Sequence, residues 1–298
     1  MIYIFASKYR VIGTILILLG MVGLAAPRVC AQEEAPYFVA YSSALEEPGN
    51  LEIENQNTAA APRKANSFFA PTVEFEYGTT AWWTSELYLQ GQKTANDSAV
   101  FTGFRVENRF RPIPRELWVN PVLYVEYEDI NGADKSLLEV VGNDSIGDLR
   151  DANAVLRAET ERELETRLIL SSQAKGWNFS ENVIAEKMLN AADPWEFGYA
   201  LGAARPLRLT ARGRACTLCL RNVAAGAEMF GGLGTTAGYG LHATSHYAGP
   251  VLALTTPQGW TYRFGPEFGM NANSARVLWK FGASYEIQQI RDWFRRSQ

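Results

Sequence analysis

The sequence predicts an all-β chain, a transmembrane antiparallel up-and-down β-barrel of about 12 strands. Three observations predict it. Apolar and polar residues alternate with period two from Asn50 onward, as in Trp260, Tyr262, Phe264, Pro266, Phe268 and Met270 against Thr261, Arg263, Gly265, Glu267 and Gly269. The alternating stretches run roughly ten to twelve residues, longer than the usual five or six and matched to the nine to eleven that cross a bilayer at about 45°. Tryptophans gather at the ends of the stretches: Trp82-Trp83, Trp118, Trp177, Trp195 and Trp260, where girdles at the two membrane interfaces would place them.

Taken in chain order, residues 1–31 read as a secretory signal peptide. Lys8 and Arg10 form the positive start, Val11 to Ala26 the apolar run, and Val29-Cys30-Ala31 the small-residue cleavage site, so the mature chain is expected to begin at Gln32. The competing reading of this stretch is an uncleaved anchor, because its apolar run approaches the roughly 17 residues that span a bilayer. Lipidation at Cys30 is disfavoured by the preceding Pro27-Arg28-Val29. Removing Lys8, Arg10 and Arg28 and no acids takes the formal charge from −4 to −7, which argues against a nucleic-acid partner. Residues 32–49 are expected to form a periplasmic segment, 50–287 the barrel and 288–298 a C-terminal tail.

Twelve strands are expected at roughly 50–59, 67–77, 81–92, 100–110, 118–129, 162–173, 177–188, 194–204, 217–229, 244–255, 259–270 and 275–287. The faintest alternation is in 177–188 and 217–229. An even count returns both chain ends to the periplasm, and short connections such as Gly78-Thr79-Thr80, Ala174-Lys175-Gly176 and Thr256-Pro257-Gln258 fall on that side. The long Asn131 to Arg162 segment falls on the outer side and is expected to govern access. Arg205 to Thr217 is long for a periplasmic turn; either it is an exception, or strand 217–229 starts earlier, or the count is off by one. Gly231-Gly232-Leu233-Gly234 reads as a loop rather than a phosphate cradle, since no helix follows it. Ile287 to Arg296 has apolar residues at helical spacing beside arginines, consistent with a short amphipathic helix at the membrane surface or a frayed tail.

The mature chain keeps two cysteines, Cys216 and Cys219, and two histidines, His242 and His246. Structural zinc wants four Cys or His ligands and catalytic zinc usually three, so no metal or cofactor is expected, and in an exported chain the Cys pair reads as a short-range disulfide.

Some stretches carry a resemblance. Glu47-Pro48-Gly49-Asn50-Leu51-Glu52-Ile53-Glu54, Pro71-Thr72-Val73-Glu74-Phe75-Glu76-Tyr77-Gly78 ahead of Trp83-Thr84-Ser85-Glu86-Leu87, and His246-Tyr247-Ala248-Gly249-Pro250-Val251 resemble bacterial outer-membrane β-barrels, and more narrowly those associated with the MetA pathway of phenol degradation. The resemblance implies a Gram-negative outer-membrane location, outer-membrane lipid and the barrel-assembly machinery as partners, and uptake of small hydrophobic or aromatic compounds. Such barrels usually end on an aromatic residue, whereas this chain ends Arg295-Arg296-Ser297-Gln298.

Strand parity turns one set of charges toward the lumen: Glu74, Glu76, Glu86, Arg105, Glu107, Arg109, Glu126, Glu128, Glu163, Glu165, Arg167, Glu196, Arg263, Glu267 and Lys280. In a narrow bore they are expected to pair across it, because an unpaired buried charge is costly. Lining a pathway, their acid excess would favour cations or polar neutral solutes. The leading expectation is therefore a pore or transporter, with a plugged structural barrel and a soluble periplasmic β-sandwich as alternatives. A third alternative is a barrel lipid hydrolase using Ser245, since His242-Ala243-Thr244-Ser245-His246 sets a hydroxyl beside two bases. Against it, Ser245 and His246 point to opposite faces of an extended strand.

Overall fold

Alternation alone makes two-faced ribbons, and such ribbons leave unpaired backbone groups at their edges until a sheet closes on itself. A computed structural model of the chain describes residues 35–62, 65–135, 151–207 and 223–290. It places the strands as β1 (Leu51–Ala60), β2 (Phe68–Thr80), β3 (Trp83–Thr94), β4 (Ala99–Phe110), β5 (Asn120–Asn131), β6 (Thr160–Ala174), β7 (Trp177–Met188), β8 (Glu196–Pro206), β9 (Val223–Thr235), β10 (Gly238–Tyr239), β11 (His246–Thr255), β12 (Trp260–Gly269) and β13 (Val277–Ile287). The two-residue β10 folds back on β9. The other twelve pair antiparallel with their neighbours in sequence order, and β1 pairs with both β2 and β13, which closes the barrel. One short helix, α1 (Asn153–Leu156), lies between β5 and β6.

Register shows what closure does to the two faces. Leu123, Leu168 and Val183 stand opposite one another on β5, β6 and β7 and point outward, 39% or more exposed with their neighbour Val125. One residue along, Tyr124, Arg167 and Ile184 are also opposite one another and are buried inside. Phe264, Trp279 and Phe281 continue the apolar exterior on β12 and β13. Trp82, Trp118 and Trp260 are exposed at the end of the barrel that carries the start of β1 and the end of β13, and Trp195 at the opposite, loop end.

All twelve expected strands are present, with shifted bounds. The largest shift is at expected strand 217–229, which is described as β9 from Val223 to Thr235. The Gly231-Gly232-Leu233-Gly234 run, expected as a loop, belongs to that strand and pairs with Phe197, Gly198 and Tyr199 of β8 around a β-bulge. The glycines hide the alternation because they have no side chains, and they serve close packing: a Cβ on Gly231 would lie 2.4 Å from the Ser245 carbonyl oxygen. β13 ends at Ile287, and a turn follows with Gln289 at φ 49°. The signal-peptide reading of 1–31, Cys216, Cys219 and Arg291 onward lie outside the described residues.

Candidate functional site

The lumen is occupied by the chain itself. Residues 35–45, within the segment expected to lie in the periplasm, hydrogen bond to side chains on the inner wall. The Glu228 carboxylate of β9 accepts the backbone N–H groups of Phe38 at 3.1 Å, Val39 at 3.0 Å and Ala40 at 3.1 Å. Arg263 of β12 donates to the Tyr37 carbonyl at 2.8 Å, Arg167 of β6 to the Val39 carbonyl at 2.9 Å, and Arg109 of β4 to the Ala44 carbonyl at 3.3 Å. Asn182 of β7 accepts from the Tyr41 N–H at 2.6 Å and donates to its carbonyl at 2.9 Å. An irregular segment inside a barrel must satisfy its backbone somewhere, and here the wall supplies the partners that a strand would have supplied.

The segment divides the lumen. Tyr37, Val39 and Ala40 pack with Ile184, Ala200, Ala204, Phe230, Tyr247, Val251 and Leu278 in an apolar cluster on the side of β7 to β13. The Tyr37 ring lies so close to β8 that a Cβ on Gly202 would be 2.5 Å from it. On the other side Tyr41 reaches the charged wall, donating its hydroxyl to Glu107 at 3.0 Å and packing against Tyr124. A cavity of about 40 Å³ remains between the segment, β2 and Arg109, room for a few water molecules and no larger solute.

The charged wall has an order that strand parity alone does not reveal. Register sets Glu286 of β13 opposite Glu52, Glu52 opposite Glu76, Glu76 opposite Glu86, Glu86 opposite Glu107, Glu107 opposite Glu126, Glu126 opposite Glu165, Glu165 opposite Glu186 and Glu186 opposite Glu196. The glutamates form one stripe that begins near the chain-terminal end of β1 and reaches the loop end at β8. Like charges directly opposite repel, and arginines offset the repulsion. Arg109 pairs with Glu76 at 2.5 Å, with Glu86, and with Glu107 at 3.2 Å; Arg105 donates to both oxygens of Glu126 at 2.9 Å; Arg167 pairs with Glu165.

The remaining expected lumen residues fall around this stripe. Glu74 accepts from Gln56 at 3.1 Å. Arg263 pairs with Glu54, a residue that the parity list did not include. Glu267 and Lys280 are buried beside Glu228, Lys280 donating to Thr58 at 3.4 Å. Glu128 is buried on the inner face opposite Glu163, and Glu196 is half-buried at the loop end. Glu228, which holds the segment, was missed because the small residues of 223–227 blur both faces of β9. Its signal was a lone acid among Ala224, Ala225, Gly226, Ala227 and Met229.

The loop end is folded inward. Asp134 accepts from Thr102 at 2.7 Å and Gln90 at 3.2 Å, and Lys135 donates to Thr94 at 3.4 Å. Asn153 at the start of α1 donates its backbone N–H to Asp97 at 2.7 Å, and its side-chain amide to the Ser98 carbonyl at 2.9 Å. The Asn153 N–H, and after it the Ser98 N–H that Asp97 also accepts at 2.7 Å, hold the Asp97 carboxyl below the usual aspartate range.

His246, one of the two bases expected beside Ser245, has other partners. The His246 ring meets the Tyr199 hydroxyl at 3.0 Å through Nδ1, and Thr244 Oγ1 at 2.9 Å and the Leu241 carbonyl at 3.0 Å through Nε2. Both nitrogens are therefore engaged away from Ser245, and His246 acts as a tie between β8, β11 and the 240–244 loop.

A closed antiparallel barrel with an apolar exterior, a charged inner wall and twelve long strands decides the fold. It is that of the outer-membrane β-barrels. Among solved structures the barrel is similar to the COG4313 outer membrane channel from Pseudomonas putida F1, with 9% identity, 85% of this chain and 99% of that chain covered and a TM-score of 0.50. It is also similar to the KdgM porin, with 7% identity, 78% and 98% covered and a TM-score of 0.46. At these identities the likeness concerns the fold. No family model and no curated protein matches the sequence.

Proposed function

We propose that this outer-membrane β-barrel is a gated pore for small molecules, closed by its own N-terminal segment. The observation that carries the reading is the seating of residues 35–45: the segment is held by side-chain hydrogen bonds rather than by strand pairing, so it can leave without opening the barrel. Outer-membrane placement rests on the closed barrel with an outward belt such as Leu123, Leu168 and Val183, which a soluble β-sandwich would bury.

The solute class follows from what the segment covers. Tyr37 and Val39 lie on an apolar strip formed by Ile184, Phe230, Tyr247, Val251 and Leu278, facing a wall of paired charges on β2 to β6. A molecule with an aromatic or apolar body and one polar group could replace Tyr37 and its hydrogen bond to Asn178, made at 3.0 Å. This supports uptake of small hydrophobic or aromatic compounds. The inward-folded residues around Asp134, Lys135 and Asn153 set access at the loop end.

The second reading, a structural barrel that stays plugged, is favoured by the number of wall side chains that bind residues 35–45. Single-channel recording in planar bilayers separates the two. The gated pore requires rare openings that become frequent in a Glu228→Ala, Arg167→Ala variant and are blocked by a small aromatic alcohol. A variant that still migrates as a heat-modifiable barrel and never conducts would establish the plugged reading.

A further inference from the structure

On the loop-end half of the glutamate stripe, β5, β6 and β7 bring five carboxylates together against two guanidiniums. Register sets Glu126 opposite Glu165, Glu128 opposite Glu163, and Glu165 opposite Glu186. Arg105 is bound by both oxygens of Glu126, and Arg167 is shared between Glu165 and the Val39 carbonyl. Glu128 is 3% exposed, and its Oε2 has no hydrogen-bond partner among the described residues. A buried carboxylate oxygen without a donor is costly and calls for a counter-charge.

We propose that Glu126, Glu128 and Glu165 form a binding site for one divalent cation of calcium size. Oxygen atoms of the three carboxylates lie within 4.8 Å of one another. Ligand oxygens placed at about 2.4 Å around a calcium ion can be at most about 4.8 Å apart, and these three stay within that limit. The donor set is entirely oxygen, which selects calcium, magnesium or manganese over zinc and copper. Calcium is favoured because carboxylates on two twisted strands form an irregular cage, which suits its flexible six- to eight-fold coordination better than the near-ideal octahedron magnesium demands. Glu163 and water supply further oxygens. The ion joins β5 to β6 where like charges face each other and supplies the donor-like partner that Glu128 Oε2 lacks.

This site depends on the wall of the barrel and not on whether the lumen conducts, so its test is binding alone. Full-length protein in detergent micelles, treated with a chelator and dialysed, is titrated with calcium chloride in an isothermal calorimeter. One saturable site is expected, with magnesium at least tenfold weaker. Glu128→Gln is expected to weaken calcium at least tenfold, and Glu74→Gln, in the separate carboxylate group with Glu76 and Glu86, to change it less than twofold. Heat-modifiable migration verifies that each variant is folded; if Glu128→Gln is not, Glu128→Asp, which keeps the charge and withdraws the oxygen, is expected to show the same weakening. No saturable binding, or equal weakening by changes at Glu74 and Glu128, would overturn the site, the latter by showing diffuse attraction to an acidic lumen.

Discussion

Glu228 and Val39 meet inside the barrel at 3.0 Å, a carboxylate oxygen accepting a backbone N–H from a residue 189 positions earlier in the chain. The same carboxylate takes the N–H groups of Phe38 and Ala40, so three consecutive amides converge on one side chain. This convergence makes the N-terminal segment a seated part of the lumen rather than a passing strand.

Glu228→Ala is expected to loosen the segment while leaving the barrel closed. Hydrogen bonds to a charged group contribute about 1.5–3 kcal/mol each, so the loss of even one raises the open fraction at least about tenfold. Hydrogen exchange at the amides of residues 38–40 should accelerate by that factor, with exchange in β1 to β6 unchanged. Unaltered protection at 38–40 would mean that the apolar cluster around Tyr37 holds the segment by itself.

Arg109→Met leaves Glu76, Glu86 and Glu107 facing one another without their shared cation. Breaking a buried pair from one side costs about 3–5 kcal/mol, and the thermal midpoint of the heat-modifiable transition should fall accordingly. Adding Glu76→Gln and Glu86→Gln to the same chain should recover most of the loss. If the triple variant is no more stable than Arg109→Met, the arginine acts through packing on Tyr41, whose ring lies 5.0 Å from its guanidinium, and not through charge.

Leu168→Arg places a cation on the outer face between Leu123 and Val183. A lipid-facing arginine near the bilayer midplane costs about 2–4 kcal/mol, so folding into bilayers should be impaired far more than it is for the same change at exposed Asn190 of the 189–195 connection. Equal effects at the two positions would mean that the apolar belt does not contact lipid.

Asp97→Asn is expected to release α1 from the 95–98 turn. Because the Asp97 carboxyl titrates below its ordinary value in the folded chain, its contribution is present above the unfolded value of about 3.9 and disappears as pH falls through the lower folded one. Protection of the Asn153 amide should therefore persist from neutral pH to about 4 and be lost below it. In Asp97→Asn it should already be low at neutral pH. Protection independent of both changes would assign the anchoring to Thr94 and Ser98.

Some of this was legible residue by residue. In an extended chain, neighbouring side chains point to opposite faces, so Leu123 beside Tyr124 and Leu168 beside Arg167 already say which face is wet and which is apolar. The length of such stretches says that they cross a bilayer, and Arg105, Arg109 and Glu126 could be assigned to the inside before any contact was known. β9 resisted the same reading because Ala and Gly show no preference between faces.

What the sequence by itself determined is thus the local, period-two chemistry: long two-faced strands, about twelve of them, with an apolar exterior and a charged interior. Only the tertiary structure decided which glutamate stands opposite which, that Arg109 serves three of them, and that residues 35–45 enter the lumen. The physical reason is range. Alternation is set within one strand, but register is set by hydrogen bonds between strands. The seat of the segment is likewise assembled from Arg109, Arg167, Asn182, Glu228 and Arg263, which meet only after the barrel has closed.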